Sequence, residues 1–266
     1  ALRGTDSEPV IPFAQPNSTT RVFAVASGKG GVGKSSMTVN LATALAARGL
    51  NVGILDADIY GHSIPHMLGS DARPHQVDDM IMPPIAHGVK IISIGHFVEG
   101  NTPVIWRGPM LHRAIQQFLS EVFWSDLDIL LLDLPPGTGD IALSVAQLVP
   151  SAELLIVTTP QAAAAEVAER AGAMSQQTRQ KVAGVIENMS AMVMPDGSVV
   201  DVFGSGGGQM VADRLSTLTG TKVELLGSVP LDPALRIGAD DGNPIAITAP
   251  DSHTGAALNA IADKLA

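Results

Sequence analysis

Residues 28–35 read GKGGVGKS and match the phosphate-binding pattern G-x-x-x-x-G-K-S/T. Glycines allow consecutive backbone N–H groups to converge on an anionic group, because no Cβ obstructs its approach. In this pattern Lys34 reaches the β- and γ-phosphates of a nucleotide, and Ser35 offers a hydroxyl to Mg²⁺. A second lysine, Lys29, lies inside the loop. The sequence therefore predicts that this chain binds a nucleoside triphosphate.

The residues on either side of this loop have the character of a strand and a helix. An apolar run, residues 22–26, precedes the loop, and a helix-like segment, residues 36–48, follows it and is ended by Gly49. A helix that begins at the loop directs the positive end of its dipole at the phosphates. A flexible surface loop rich in Gly and Lys is the alternative interpretation, and this strand–loop–helix context disfavours it.

Three aspartates end other apolar runs and are candidates for the chemistry of phosphoryl transfer. Asp56 and Asp58 follow one run, and Asp133 follows another. Parallel sheets bind ligands at the carboxyl ends of their strands, so these carboxylates should face the nucleotide. An acidic residue in such a place is the usual second Mg²⁺ anchor of a P-loop enzyme, although alone it could equally be a helix cap. The phosphate loop favours the Mg²⁺ role for Asp133, and the residues alone do not choose between Asp56 and Asp58.

Short apolar runs alternate with amphipathic or Ala-rich segments along most of the chain. Runs that are apolar at consecutive positions are typical of strands covered on both faces. The alternation predicts an α/β fold: a doubly wound, mainly parallel sheet with helices on both faces, in a single domain over residues 21–266. Residues 1–20 are rich in Pro, Ser and Thr, which predicts a tail or linker. The predicted strands are residues 22–26, 52–55, 89–94, 129–134, 154–158, 182–186 and 223–226, and the predicted helices are residues 36–48, 110–123, 162–177 and 208–219.

The composition argues against several classes of function. The net charge is −10 at pH 7, from 16 basic and 26 acidic residues among 266, which disfavours a surface for nucleic acid or anionic membranes. No apolar run is long enough to span a bilayer. With zero cysteines, the chain can form neither a disulfide nor a thiolate metal site. We therefore expect a cytoplasmic enzyme that binds neither nucleic acid nor membrane.

Seven motifs occur in order along the chain: GKGGVGKS, LDADIYGHSIP, WRGPM, DLPPGTGD, TTPQ, ENMS and VPLDP. In this set the chain resembles the Mrp/ApbC branch of the MinD-like, deviant Walker ATPases, from about residue 21 to the C-terminus. The resemblance implies Mg²⁺-dependent ATP hydrolysis by a homodimer with nucleotide near the subunit interface. Many members carry or assemble iron–sulfur clusters, so the resemblance also implies iron–sulfur scaffold proteins or apoprotein clients as partners.

The resemblance implies roles for individual residues. Lys29 matches the signature lysine that reaches the partner's nucleotide and acts as an arginine finger does. Asp58 matches the aspartate that positions the attacking water. The predicted catalytic residues are Lys29, Lys34 and Asp58, and the predicted Mg²⁺ ligands are Ser35, Asp56 and Asp133. The predicted nucleotide-binding residues are Gly28, Lys29, Gly30, Gly31, Val32, Gly33, Lys34, Ser35, Ser36, Asn188, Pro230 and Asp232, of which the last three match positions that surround adenine.

One motif of the family is absent from this chain. Cluster-binding members have Cys-Pro-x-Cys a few residues after ENMS, and it bridges a cluster across the dimer. This chain has Met194, Pro195, Asp196 and Gly197 there. A thioether is a weak neutral ligand and glycine offers none, so we expect no iron–sulfur ligand in this chain, and whether it binds a cluster stays open. Pro-Asp-Gly favours a turn, and we interpret the stretch as a hairpin tip.

Three further features have structural explanations. His62 and His66 could chelate a metal on a helix, but no third ligand accompanies them. The stretch FGSGGG, residues 203–208, lacks a lysine and follows no apolar run, so we interpret it as a connection to the next helix. WRGPM, residues 106–110, suits the first turn of a helix.

We expect an ATPase that acts as a dimeric switch in iron–sulfur cluster metabolism. The competing class is a positioning or partitioning ATPase related to MinD or ParA. Such positioners have a basic amphipathic C-terminal helix, whereas this chain ends in the nearly uncharged GAALNAIADKLA, and partitioning relatives need a basic face for DNA. A regulatory nucleotide-binding module with negligible turnover is a third hypothesis. Family members often carry a small N-terminal domain, and residues 1–20 have the composition of a linker that would follow one.

Overall fold

The computed structural model describes residues 9–59, 61, 63–97, 108–137, 139–161 and 164–266 of the chain. The strands within these ranges are β1 Arg21–Ser27, β2 Val52–Asp56, β3 His75–Val77, β4 Met80–Met82, β5 Ile85–Ala86, β6 Val89–Ser93, β7 Ile129–Asp133, β8 Glu153–Thr158, β9 Val182–Ser190, β10 Met192–Val193, β11 Val199–Val200 and β12 Leu225–Pro230. The α-helices are α1 Lys34–Ala47, α2 Ile64–Met67, α3 Gly108–Glu121, α4 Asp140–Leu148, α5 Ala164–Thr178, α6 Gly207–Thr219, α7 Pro233–Asp240, α8 Ile245–Thr248 and α9 His253–Leu265.

The main sheet has eight strands in the order β12-β9-β8-β1-β7-β2-β6-β5. Neighbouring strands are parallel except for β5, which pairs antiparallel with β6 at one edge. Strand β1 lies between β7 and β8, so the chain winds outward in both directions from β1. This is the predicted doubly wound α/β fold. In such folds ligands bind where the winding reverses, outside the carboxyl ends of the strands.

Each face of the sheet has its own layer of buried side chains. Phe23 and Val25 of β1 contribute to one layer, whereas Ala24 and Ala26 contribute to the other, because successive strand residues point to opposite faces. Helices α1, α8 and α9 cover the first face, and α3, α4, α5 and α6 cover the second. Burial on both faces explains why the strands read as continuous apolar runs. None of the described helices is both long and apolar enough to cross a membrane.

All seven predicted strands and all four predicted helices are present, with shifted ends. Strand β12 begins at Leu225 rather than at residue 223, because the Val223 N–H donates to Ser216 Oγ of α6 at 2.9 Å. Helix α1 begins at Lys34, two residues earlier than predicted. The pattern missed α2, α4, α7, α8, α9 and the short strand pair β3–β4, and it predicted the tip of the β10–β11 hairpin without its strands. Strands of two or three residues are too short for an alternating pattern to identify.

Part of the segment predicted as a tail or linker, residues 1–20, packs against the domain. Ile11 and Phe13 are only 7% and 3% exposed, and they join the core layer under α3. The Phe13 ring meets the Trp124 ring edge-on, with 6.4 Å between centroids. Thr20 Oγ1 donates to the Leu127 carbonyl at 2.7 Å. Two isolated apolar residues produce no periodicity, so their burial was not visible in the sequence.

Replacing Phe13 tests whether this segment contributes to the stability of the domain. Phe13→Ala should lower the free energy of unfolding by about 3 kcal/mol, because a large buried side chain is removed. Val10→Ala is the matched control: Val10 is 68% exposed, and its change should stay within about 0.5 kcal/mol. Denaturant titration measures both. Equal values for the two variants would show that the segment is a detached tail.

Candidate nucleotide-binding site

The phosphate-binding loop, residues 28–33, connects β1 to α1. Its Gly33 has a φ of 80°, in the left-handed region where glycine is least strained. A Cβ at Gly33 would lie 2.3 Å from Asn188 Nδ2, so a side chain is excluded sterically as well. The first turn of α1 follows directly, with backbone N–H groups that have no partner inside the helix. The loop therefore offers N–H donors to an anion without side-chain bulk.

Lys34 forms a buried ion pair with Asp133. Their side chains are 6% and 0% exposed, and Lys34 Nζ lies 2.8 Å from Asp133 Oδ2. Despite this distance, the amine makes no well-directed hydrogen bond to any described residue. Its ammonium protons are therefore available, and the oxygens of an anion in the loop would satisfy them. Such a ligand would also offset the cost of burying the charges.

Two hydroxyls complete the surroundings of Asp133. Ser35 Oγ donates to Asp133 Oδ2 at 2.6 Å, and Thr38 Oγ1 donates to Asp133 Oδ1 at 2.7 Å. The contacts are possible because β7 lies next to β1, with Asp133 in register with Val25. Hydroxyl and carboxylate oxygens are hard ligands of the kind that Mg²⁺ prefers, so Ser35 and Asp133 fit that ion. The sequence analysis missed Thr38, although its place one helical turn after Lys34 was an available signal.

The two aspartates at the end of β2 lie in different surroundings. Asp56 is fully buried beside Asp133, its register partner on β7, and is not part of the cleft lining. It accepts hydrogen bonds from Ser93 Oγ at 3.0 Å and from the Asp58 N–H at 3.1 Å. Asp58 is 9% exposed, accepts from the Gly61 N–H at 3.2 Å and lines the cleft on the loop. Asp58 thus reaches the cleft, whereas Asp56 lies behind it.

Burial is the main cause of an unusual pKa at Asp56. Burial and, to a smaller extent, the neighbouring charge of Asp133 raise the pKa of this carboxyl from 3.8 to about 7. The hydrogen bonds from Ser93 and from the Asp58 N–H act in the opposite direction, as does the charge of Lys34. A second cation near these carboxylates would therefore favour the ionised form of Asp56.

Two adjoining pockets extend from the loop. The first, about 230 Å³, is lined by residues 30–36 together with Asp58 and Pro136. The second, about 500 Å³, is mostly apolar and shares Gly33 and Ser36 with the first. Its other lining residues include Asn188, Pro230 and Asp232, three positions predicted to surround adenine. A pocket formed by the phosphate-binding loop and joined to a larger apolar pocket has the shape of a site for a phosphate chain and an aromatic base.

Asn188 has a fixed orientation at the wall of the second pocket. It is 2% exposed, and its Nδ2 donates to the Val32 carbonyl at 2.9 Å. Its Oδ1 is buried and accepts no hydrogen bond from the described residues. A ligand N–H in this pocket would relieve that unsatisfied acceptor. The exocyclic amino group of adenine is such a donor, whereas guanine has an acceptor oxygen at the equivalent position.

Asp232 has a structural role in addition to its place in the pocket. Its Oδ1 accepts from the Ala234 N–H at 2.8 Å and caps the N-terminus of α7. Its Oδ2 accepts from Thr254 Oγ1 at 2.7 Å, which joins α7 to α9. Both carboxylate oxygens are therefore used inside the protein, and Asp232 contributes to the pocket by fixing its wall.

Lys29 directs its amine away from the loop's own cleft. Lys29 Nζ donates to Gln161 Oε1 at 2.6 Å, and Lys29 is not among the residues that line the cleft. The preceding Gly28 carbonyl accepts from Arg170 Nη1 at 2.8 Å, and a Cβ at Gly28 would lie 3.1 Å from Val167. The first residues of the loop are thus tied to β8 and α5. The sequence analysis assigned no role to Gln161 or Arg170.

Comparison with known proteins identifies the family. The model of a family described as NUBPL iron-transfer P-loop NTPase matches residues 18–266. The chain belongs to this family. The iron–sulfur cluster carrier protein of Mycobacterium leprae is 70% identical over 264 residues, which cover 99% of this chain and 69% of the relative. The protein of the same name from Escherichia coli K12 is 46% identical over 253 residues, covering 94% of this chain and 67% of the relative. The resemblance predicted from the motifs is confirmed.

Solved structures agree with the fold of an iron-transfer P-loop NTPase. A nucleotide-binding protein from Archaeoglobus fulgidus, solved in complex with ADP, is 37% identical with a TM-score of 0.71 and covers 84% of this chain and 86% of its own. The septum site-determining protein MinD from Pyrococcus horikoshii, solved with Mg-ADP, is 21% identical with a TM-score of 0.65. It covers 92% of this chain and 96% of its own, and its likeness concerns the fold alone.

The predicted hairpin tip is confirmed at the family's Cys-Pro-x-Cys position. Strands β10 and β11 pair antiparallel, and the Met194 N–H donates to the Ser198 carbonyl at 2.8 Å. The Gly197 N–H donates to the Met194 carbonyl at 2.9 Å, and Gly197 has a φ of 82°. Across the parts of the chain that the structure describes, no group of three or more His, Cys, Asp or Glu residues is placed to hold a metal ion.

The other predicted features have mixed outcomes. The glycine-rich stretch, residues 203–208, is a connection that leads into α6, as predicted. His66 lies in α2, whereas His62, Trp106 and Arg107 lie outside the described residues. Helix α3 begins at Gly108, two residues before the predicted start, and Pro109 lies in its first turn as predicted.

The raised pKa of Asp56 predicts a pH-dependent effect of Asp56→Asn. In metal-free protein, the folded state keeps a proton on Asp56 that the unfolded state loses above pH 3.8, so the contribution of Asp56 to stability falls as the pH rises towards 7. The asparagine variant has no such proton to lose. The difference in unfolding free energy, Asp56→Asn minus wild type, should therefore rise by roughly 2–4 kcal/mol from pH 4 to pH 8.

Denaturant titrations in EDTA across this range measure the effect. The matched control is Asp251→Asn, because Asp251 is exposed and its replacement should show no such gain. A constant difference between Asp56→Asn and wild type at every pH would contradict the assignment.

Proposed function

We propose that this chain is a Mg²⁺-dependent ATPase that works as a homodimer and drives the delivery of iron–sulfur clusters to other proteins. The observation that carries the proposal is the buried Asp133 beneath the phosphate-binding loop, which is contacted by Lys34, Ser35 and Thr38. A cation with available protons next to hard oxygen ligands supports a phosphate chain with its divalent ion. The delivery of clusters rests on the family and on relatives named iron–sulfur cluster carriers.

The loop and α1 account for phosphate binding. Residues 30–35 line the first pocket, where their backbone N–H groups would donate to the phosphates and Lys34 would add its ammonium. Ser35 and Asp133 would hold Mg²⁺, with Asp56 supporting Asp133 from behind. Bound there, Mg²⁺ supplies charge stabilisation for the transferring phosphoryl group.

Asp58 is the residue that we assign to the attacking water. It lines the pocket that would hold the γ-phosphate, and the Gly61 N–H fixes one of its oxygens. A fixed carboxylate orients water and polarises its O–H bond, which raises the nucleophilicity of the oxygen. The burial of Asp56 away from the pocket disfavours it for this role.

We assign Lys29 a role in the nucleotide site of a second copy of the chain. Its amine is bound by Gln161 outside its own cleft. A second protomer that faces the loop could receive this cation and use it to stabilise charge on the transferring phosphoryl group. This arrangement makes turnover depend on dimerisation.

Asn188 supports adenine as the base. Its buried Oδ1 lacks a partner among the described residues, and its Nδ2 is engaged by Val32, so the amide offers an acceptor to the pocket. At the equivalent position adenine presents an amino group that can donate to it, whereas guanine presents a carbonyl oxygen that cannot. We therefore propose ATP rather than GTP as the substrate.

The cluster is cargo rather than a resident cofactor in this proposal. The sequence has no cysteine, so thiolate ligands would come from a donor or an acceptor protein. This chain would then supply the nucleotide-driven switch that brings the two together.

A positioning ATPase of the MinD type is less well supported. Helix α9 has a buried face that includes Leu258, Ile261 and Leu265, and this face packs on the sheet next to α1. Lys264 is the basic residue of its last turn, and its amine donates to the Leu226 carbonyl at 2.7 Å. A helix bound in this way is not a free basic amphipathic anchor.

Asp58→Asn tests the hydrolytic mechanism. The variant should bind ATP as wild type does and lose turnover by roughly 100-fold, because an amide cannot polarise water as a carboxylate does. Calorimetric titration measures binding, and phosphate release with Mg²⁺ measures turnover. The matched control is Asp71→Asn, an exposed aspartate that follows α2, which should keep normal turnover.

Mixing variants tests the dimer. Lys29→Ala and Asp58→Asn should each hydrolyse ATP slowly, but a mixture forms heterodimers in which one of the two sites has both groups. Phosphate release from the mixture should exceed that of either variant alone. Turnover strictly proportional to protein concentration across the dimerisation range would contradict a shared site.

Restoring the missing cysteines tests the treatment of the cluster as cargo. Anaerobic iron and sulfide reconstitution of the unmodified chain should give no visible charge-transfer absorption, because thiolate ligands are absent. Met194→Cys combined with Gly197→Cys should create cluster binding and tighten the dimer. At Gly197 a Cβ meets open space among the described atoms, although the positive φ costs about 1 kcal/mol. The single variants are the controls, and a stable cluster on the unmodified chain would overturn this part of the proposal.

A further inference from the structure

Gln161 is the acceptor that holds Lys29. The contact joins Lys29 Nζ to Gln161 Oε1 at 2.6 Å. Gln161 follows β8 by three residues, and β8 is the parallel neighbour of β1. The amide therefore reaches Lys29 from the adjacent strand, at the carboxyl edge of the sheet. Ser27 Oγ donates to the Lys29 carbonyl at 3.0 Å, so the lysine is restrained through its backbone as well.

The segment that carries Gln161 is supported by the glycine-rich connection, residues 203–208. A Cβ at Gly207 would lie 2.7 Å from the carbonyl oxygens of both Thr159 and Pro160. The Gly208 N–H donates to Glu187 Oε2 at 2.6 Å, which ties the connection to β9. Close backbone packing of this kind requires glycine. The connection thus fixes the backbone that precedes Gln161.

The chemistry of an amide suits a residue that holds a cation without using its charge. Gln161 Oε1 accepts a proton from the ammonium but contributes no negative charge. A carboxylate at this place would neutralise Lys29 and compete with a phosphate for it. Lysine has a long flexible stem, and an unrestrained ammonium would be attracted to the nucleotide in its own cleft.

We propose that Gln161 is a positioning residue for Lys29. It keeps the amine outside the cleft of its own protomer, where a second copy of the chain can receive it. The inference rests on the proposed function, because it assumes that Lys29 acts on a partner's nucleotide. Gln161 sets the starting position of the lysine side chain. Lys29 therefore loses less side-chain freedom when the dimer closes.

The reactivity of Lys29 in nucleotide-free protein tests the contact itself. Trace acylation with acetic anhydride, followed by peptide mass spectrometry, gives the rate at Lys29 relative to the exposed Lys181. Gln161→Leu should raise this relative rate by roughly threefold, because the amine loses an exposed hydrogen bond. Gln161→Glu should lower it below the wild-type rate, because an ion pair replaces a neutral contact. Equal rates in all three proteins would overturn the inference, and they would leave the proposed function untouched.

Turnover tests the positioning role. Gln161→Leu should lower kcat for ATP hydrolysis by roughly threefold to tenfold with little change in KM, since phosphate binding in cis does not involve Gln161. In a Lys29→Ala background the same substitution should have no further effect, because its action passes through Lys29. A merely structural role would lower kcat in both backgrounds.

The matched control is Gln176→Leu, the same substitution near the other end of α5, where the side chain donates to the Leu218 carbonyl at 3.1 Å. It should leave both the acylation rate and kcat unchanged. Unchanged or increased kcat in Gln161→Leu would overturn the positioning role. Absence of phosphate release from the wild-type protein would overturn the proposed function and the positioning role together, whereas the acylation rates would still report the contact.

Discussion

The arrangement of the site depends on burying Asp133 together with the charge that compensates it. A buried carboxylate is costly without a partner, and Lys34, Ser35 and Thr38 all converge on its two oxygens. This convergence requires β1 and β7 to be adjacent and in register, so that the strand ends bring the loop and the carboxylate together. These contacts fix the first turn of α1 beside Asp133. The sheet order is thus the condition for the loop to work as a phosphate site.

The same edge of the sheet connects the nucleotide pockets to the surface. Strand β9 carries Asn188 in the base pocket and leads to β10, whose Met192 lines that pocket as well. The tip of the β10–β11 hairpin holds residues 194–197, where the resemblance places the Cys-Pro-x-Cys motif of cluster-binding members. The base pocket and the hairpin therefore share one continuous stretch of chain. This stretch physically joins the pocket lined by Asn188 to a hairpin with exposed side chains such as Met194 and Val199.

Much of the fold was predictable because its strands are buried on both faces. Continuous apolar runs separated by amphipathic segments leave few alternatives to a doubly wound sheet. The loop was predictable because its glycines and lysine have a chemical reason for their spacing. Elements that pack by a few contacts were not predictable. Helices α7 and α8 and the two-residue strands have no period long enough to identify, and Phe13 is buried by residues distant in the chain, among them Trp124.

The sequence by itself determined the phosphate loop, the carboxylates at the strand ends, the absence of thiolates and the family. The tertiary structure alone decided which aspartate faces the cleft, because the pleat of β2 buries Asp56 and the turn after it leads Asp58 outward. It also brought Thr38 to Asp133 and Gln161 to Lys29. These pairs are 95 and 132 residues apart in the chain. Local sequence patterns report what a residue can do, whereas the partner that it meets depends on the order and register of the strands.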